Sequence, residues 1–296
     1  MRFTAWLVLA ATLLLWSGNW IVARAVRADV SPAVATVGRL LIVLLILLPV
    51  ALRGLGKKIS TLEKRDWIVL AALGLAGGGP HLALQWLGLH YTTAASGILY
   101  LSTTPIFILM MSLPLGDRIA PRQWAGVAIS FCGVFVIATQ GEPTSLSFNR
   151  GDLMALGSMM MWAAYTVLLR VRRDPLAVLE LLVMVCAFGA LFMLPWLAWE
   201  ALGAGRLRLT GEGAAAVLYS AIGSLLLAYA GWSYVVSRLG PARAGVTLHL
   251  MPALGVLLSA LFLGEYPRGF HVAGIALILT GVTLSSFKVS SASSTR

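Results

Sequence analysis

Ten apolar runs, each close to the length of a bilayer-crossing helix, constrain this chain more than any other feature. They lie near residues 4–26, 32–52, 66–89, 94–114, 121–139, 152–171, 177–199, 214–237, 242–262 and 269–287. A helix of about 20 apolar residues spans the hydrocarbon core of a bilayer. Only 11% of the 296 residues are charged, whereas soluble domains average about 25%. Water would not hold such a surface in solution, so lipid is the solvent these runs fit. The longest connections, 53–65, 140–151 and 200–213, leave no room for a soluble domain. Residues 288–296 form a serine-rich tail expected to be disordered. Arg2 followed by an apolar run imitates a signal peptide. That run contains Trp16 and Trp20, offers no clean small-residue cleavage site and aligns with a later segment, so it reads as a retained first span.

The net charge of +11 would suggest nucleic acid in a soluble protein. Here the basic residues fall in short loops, where they set topology, and no nucleic-acid partner is expected. With a cytoplasmic N-terminus, fifteen Lys and Arg residues lie on the cytoplasmic side and six on the other, with Arg39 left inside the second span. That bias predicts both termini in the cytoplasm and an even number of spans. Cys132 and Cys186 lie in apolar runs and read as small core residues.

The chain repeats itself. Trp16, Arg24 and Pro49 recur as Trp162, Arg170 and Pro195, each 146 residues on. Gly74 pairs with Gly223. Ala94, Gly97 and Pro105 in T-A-A-S-G-I-L-Y-L-S-T-T-P correspond to Ala242, Gly245 and Pro252 in P-A-R-A-G-V-T-L-H-L-M-P. L-G-D-R-I-A-P from Leu115 matches L-G-E-Y-P from Leu263, followed by Gly126 and Gly133 in one half and Gly274 and Gly281 in the other. Each half holds five spans, an odd number, so the second enters the membrane inverted. The fold expected is an all-α membrane protein of ten transmembrane helices in two inverted five-helix repeats, residues 1–139 and 152–287, joined by a linker at 140–151. Inverted repeats of this kind are a common plan for secondary transporters, with the solute site near the midplane between halves.

These paired motifs resemble the EamA-type branch of the drug/metabolite transporter superfamily, over essentially the whole chain. Within it the chain is similar to the YddG-type exporters of aromatic amino acids. The resemblance implies a bacterial inner-membrane protein that exports small metabolites from the cytoplasm through a central cavity. Asp117 in the first half stands where the second has Glu265; both lie at loop ends and read as structural.

Polar side chains inside a membrane usually face the bundle interior or a water-filled cavity. Trp16 and Asn19 share a face of the first span, and Trp162 and Tyr165 share one on the sixth. The four stand in equivalent places, too deep for an interfacial belt, and either line a cavity or bridge helices. In the third span Pro80 breaks the hydrogen-bond ladder beside three glycines, and His81 and Gln85 share a face. The fourth span carries Tyr100 and Thr103; the ninth carries Thr247 and His249. These ten residues are the candidate substrate contacts. The eighth span offers Ser220, Ser224, Tyr229 and Trp232, but serines four apart mark close helix packing, and this span reads as a packing surface. Arg39 lies too deep for easy snorkelling. It either pairs with carbonyls or a polar group of another helix, or it contacts a carboxylate solute.

An aromatic-lined, hydrogen-bonding cavity suits zwitterions with large apolar side chains. The function expected is export of aromatic and other hydrophobic amino acids by a monomer, with no cofactor. All acidic residues fall in loops or near span ends, which favours uniport. The alternative is a proton-coupled multidrug exporter that holds flat cations by cation–π contact. A membrane-embedded enzyme would need clustered chemistry such as H-E-x-x-H or G-x-S-x-G, and the chain has neither. The four histidines, His81, His90, His249 and His271, have no metal-ligand spacing.

Overall fold

A computed structural model describes residues 2–116, 121–142, 149–203, 207–239 and 250–286. The described chain is helical throughout, apart from loops and one isolated bridge between Val30 and Leu209. Ten helical rods follow one another. The first repeat has α1 (Arg2–Ala25), α2 (Pro32–Ile59), α3 (Lys64–Leu73, Gly74–Gly78 and Gly79–Gly88), α4 (Ala94–Leu99, Tyr100–Thr103, Thr104–Ser112 and Leu113–Leu115) and α5 (Pro121–Ala138). The second has α6 (Arg150–Val171), α7 (Val178–Leu202), α8 (Gly211–Tyr219, Ser220–Leu227 and Ala228–Leu239), α9 (Leu250–Leu263) and α10 (Gly269–Ser286). Among the described residues, six helices are long and apolar enough to cross a membrane: α1, α2, α3, α6, α7 and α8. Large apolar side chains, among them Leu45, Val50, Leu191, Trp199, Leu261 and Phe262, face outward. Lipid, not water, accommodates a surface of that kind.

The middle segments of α3 and α8 are wide π-type turns, Gly74–Gly78 and Ser220–Leu227, and they fall at equivalent places in the two repeats. In α3 the cause is local. Pro80 lacks an amide proton, and its ring displaces the carbonyl four residues back. The glycines before it let the ladder slip by one residue instead of breaking.

Equivalent helices of the two repeats meet antiparallel. The ion pair from Lys58 Nζ to Glu180 Oε2, 2.7 Å, ties the end of α2 to the start of α7. These two helices and α3 bury Leu40, Val43, Leu70, Leu73 and Val185 in one apolar core. Helices α5 and α10 pack against each other along their glycines. A Cβ built on Gly133 would stand 2.7 Å from the carbonyl oxygen of Gly274, and one on Gly281 would meet the carbonyl oxygen of Gly126. The glycines of the paired motifs thus bring two backbones into contact, as small residues do between membrane helices. Cys186 is buried on α7, but Cys132 is exposed on α5, which corrects its reading as a core residue. An apolar run does not separate core from lipid-facing positions, because both favour the same side chains.

Candidate functional site

The paired motifs dock on each other at one end of the bundle, where α1 and α3 finish and α4 and α6 begin. Gly116 and Gly264 stand in equivalent places and both adopt a left-handed backbone, φ +88° and +65°. A side chain at either position would be strained. The turn at Gly264 directs Glu265 across to the first repeat. Its Oε2 accepts from the backbone N–H of Ala94 at 3.0 Å and from Ser259 Oγ at 2.8 Å. Its Oε1 lies 3.3 Å from Arg24 Nε. An acid from the second repeat therefore caps the helix opened by the first repeat's A-x-x-G motif, at the end where a negative charge is favoured. Arg24 also donates to the carbonyl of Leu89 at 2.6 Å. The corresponding positions, Asp117 and Ala242, lie outside the described residues.

Around this contact sits a polar cavity of about 360 Å³ lined by Arg24, Thr92, Ser96, Asp152, Glu265 and His271, among others. Asp152 accepts from Thr92 Oγ1 at 2.6 Å, and with Asn149 it forms a reciprocal cap on α6. His271 Nδ1 accepts from the Arg268 backbone N–H at 3.0 Å, and Nε2 faces Ser96 Oγ at 3.4 Å.

Thirteen residues along α6 from Asp152, about 20 Å at the helical rise, the chain reaches Tyr165. It lines a second, more apolar cavity of about 210 Å³ with Leu169, Arg172, Leu182 and Tyr229. Between the two lies a cluster of aromatic rings. Trp162 stacks on Tyr165 at 5.1 Å and on His81 at 5.4 Å. Trp16 meets Trp162 edge-on at 6.4 Å, Tyr229 at 6.0 Å and Trp232 at 5.6 Å. Its indole N–H donates to the Ser224 carbonyl at 3.0 Å. Four helices, α1, α3, α6 and α8, supply these rings, and both repeats contribute. His81 is held by Ser158 on α6. Its Nδ1–H donates to the Ser158 carbonyl at 2.8 Å, and the serine hydroxyl donates back to the His81 carbonyl at 3.1 Å.

The structure brings four of the ten candidates, Trp16, His81, Trp162 and Tyr165, into this one cluster. Asn19 and Gln85 form a neighbouring pair, with Asn19 Nδ2 donating to Gln85 Oε1 at 3.4 Å. Tyr100 is fully buried among Trp20, Trp86, Leu99 and Met159. Thr103 is buried too, and its hydroxyl donates to the Tyr100 carbonyl at 2.6 Å. Thr247 and His249 lie outside the described residues. On the eighth span, read as a packing surface, Tyr229 and Trp232 pack into the aromatic cluster. The signal was their spacing of three, one face of a helix, which the nearby serines outweighed.

Known proteins bear on this arrangement. The EamA-like transporter family matches the chain at residues 3–139 and 149–287, one domain to each repeat. An uncharacterized transporter of Archaeoglobus fulgidus is 28% identical over 291 residues, covering 95% of this chain and 97% of that protein. The uncharacterized transporter YetK of Bacillus subtilis is 25% identical, over 96% of this chain and 87% of its own length. A probable terminal-alkyne amino-acid exporter of Streptantibioticus cattleyicolor is 25% identical over 74% of this chain and 73% of its own. A solved crystal structure of 22% identity superposes with a TM-score of 0.63 over 96% of this chain and 97% of its own, which is a likeness of fold. With two family domains on two antiparallel sets of helices, the chain belongs to the EamA-like transporter family: it is a multi-pass membrane transporter and not an enzyme.

Proposed function

We propose that this transporter exports small amphipathic metabolites, foremost aromatic and other hydrophobic amino acids, from the cytoplasm by alternating access between its two repeats. The observation that carries the reading is the ring cluster of Trp16, Trp162, Tyr165, Tyr229 and Trp232 between the halves. Trp16, Trp162, Tyr229 and Trp232 are half-buried, so part of each side chain stays accessible. Such rings bury large areas and keep a polar edge. His81 and the Asn19–Gln85 pair add hydrogen-bonding capacity beside them. The ten substrate contacts remain those named from the sequence, joined by Tyr229 and Trp232. The relative named as a probable amino-acid exporter supports the same class of solute.

In this reading the protein resembles the YddG-type exporters, works as a monomer in a bacterial inner membrane and has both termini in the cytoplasm. The mouth built around Glu265 then opens away from the cytoplasm, and the cavity at Tyr165 and Arg172 toward it. Transport runs down the solute gradient. Glu180, the acidic residue deepest in a span, stands in the first turn of α7 paired with Lys58 and is no mid-membrane relay. Efflux from proteoliposomes loaded with labelled Phe, Tyr, Trp, Met and Leu tests the reading, with and without a pH gradient. Exit of these amino acids is expected, at a rate the gradient does not change. Uphill movement under a pH gradient overturns uniport, and retention of all five overturns amino-acid export. The ring faces also suit a second reading, proton-coupled export of flat cationic compounds, which the same assay detects as proton-dependent movement of a dye cation.

A further inference from the structure

Arg39 stands in α2, seven residues beyond Pro32, about 10 Å along the helix axis. It is among the most deeply buried large side chains, 1% exposed. Neither its Nε nor its Nη2 has a hydrogen-bond partner among the described residues. None of the described ion pairs includes it. The Trp86 ring lies beside it, with its centroid 5.6 Å from the guanidinium carbon. An arginine that serves packing alone in a membrane ordinarily donates to carbonyls or pairs with a carboxylate, since an unmatched buried charge is costly. A ring face offsets only part of that cost.

The surroundings hold further unmet polar groups. Thr36, one turn earlier on the same face of α2, has a buried hydroxyl without a partner among the described residues, as has Ser220. The turn that begins at Ser220 packs on α2. Tyr229, Cys186 and His81 lie within electrostatic range of the guanidinium. Two of these three, Tyr229 and His81, are members of the aromatic cluster. Leu40, the next residue of α2, belongs with Tyr165 to the buried cluster against which Trp162 and Tyr229 pack, so the charge stands in the same part of the bundle as the rings. At the 146-residue spacing that relates Pro49 to Pro195, the second repeat has Val185 in place of Arg39. Val185 is buried in the apolar core. The scaffold is two-fold and this charge is not.

We propose that Arg39 is the anchor for a carboxylate on the transported solute, with the rings of Trp16, Trp162 and Tyr229 taking the solute's apolar part. The proposal rests on the exporter reading above and deepens it to carboxylate-bearing solutes. A planar guanidinium matches a carboxylate with two parallel hydrogen bonds. Trp86 lies beside the cation; a carboxylate that enters there supplies the full counter-charge that the ring does not. The same charge repels the flat cations that bare ring faces would attract, so one residue sets the sign of the solute's charge.

The test uses purified full-length protein. In proteoliposome counterflow, labelled phenylalanine is compared with phenethylamine, which lacks the carboxylate. Arg39→Gln is expected to lower the apparent affinity for phenylalanine by about 10- to 100-fold, the worth of a lost charge-assisted hydrogen bond. It should leave phenethylamine unchanged or better transported. Arg39→Lys should restore part of the phenylalanine affinity, since it keeps the charge and loses the fork. Equal losses for both solutes, or no loss for phenylalanine, overturn the proposal. A wild-type arm needs no variant to fold: 3-phenylpropionate should raise the thermal stability of the detergent-solubilised protein, and phenethylamine at the same concentration should not. If wild-type protein moves no amino acid yet is stabilised by 3-phenylpropionate, the exporter reading fails and the carboxylate anchor stands. If phenethylamine stabilises it as well as 3-phenylpropionate does, or neither stabilises it, the anchor fails.

Discussion

The mouth around Glu265 and the centre around Arg39 treat charge in opposite ways. At the mouth, partners come from across the repeat boundary. Glu265 binds Arg24 and the first amide of α4, and Arg24 also reaches the Leu89 carbonyl. Asp152 holds Thr92 and the start of its own helix. At the centre, Arg39 has a ring face in place of a counter-ion, and Thr36 and Ser220 keep hydroxyls without partners among the described residues. A matched set of charges holds two bodies together. An unmatched set in a buried place is a standing cost that only something entering the site can relieve. The first arrangement suits a closure between repeats, and the second suits a place that receives a solute.

The largest effect expected from breaking the centre without touching its charge comes from the rings. Replacing Trp16 and Trp162 together with alanine removes several edge and stacked contacts, each worth about 0.5–1.5 kcal/mol beyond buried area. The apparent affinity for phenylalanine in counterflow should fall at least about tenfold, and that for leucine by less than about threefold. Equal losses would count against a ring-lined site.

At the mouth the expected effects are smaller. Glu265→Gln keeps the shape and removes the charge from a pair whose side chains are 17% and 21% exposed. Solvent screening limits its worth to about 1 kcal/mol or less. The better readout is access. In a chain with Cys132 and Cys186 replaced by alanine, a cysteine introduced by Ser96→Cys, which lines the mouth cavity, should react faster with a charged thiol reagent once Glu265 is neutralised. Unchanged reaction rates would show that the ion pair does not hold the mouth shut.

The smallest effect is a titration. Burial, then the charges of Arg27 and Arg24, hold the His90 imidazole below its usual range. An unfolded chain takes up that proton near pH 6.5. The folded state resists doing so, so its stability is fully present above about pH 6.5 and declines as pH falls below that value toward the lowered folded pKa. His90→Gln should flatten the loss of thermal stability between about pH 6.5 and 5. A slope that is the same in the variant assigns the acid sensitivity to another group.

Trp16 and Trp162 were legible as a pair because their recurrence and their depth are both properties of the linear chain. The helical spans were legible for a similar reason: hydropathy and the need to satisfy backbone groups in lipid act within one segment. The repeats followed from the 146-residue spacing of Trp16, Arg24 and Pro49, and the resemblance to the family from the paired A-x-x-G…P and L-G-D/L-G-E motifs. Even the glycines of the L-G-D and L-G-E motifs were visible as a repeated pair, although their left-handed backbone was not.

The chain by itself therefore determined a helical membrane protein, its two-fold plan and a set of polar and aromatic candidates, since each depends on neighbours a few residues away or on recurrence. Only the tertiary structure decided which of these meet. Trp16 finds Tyr229 and Trp232 more than 200 residues on, Glu265 reaches back to Ala94, and Arg39 finds a ring where carbonyls or a polar group of another helix were the first expectation. Such contacts depend on how helices cross and how far each is rotated about its axis. Lipid gives apolar faces no direction of their own, so packing between helices, through small residues such as Gly133 and Gly281, sets that rotation.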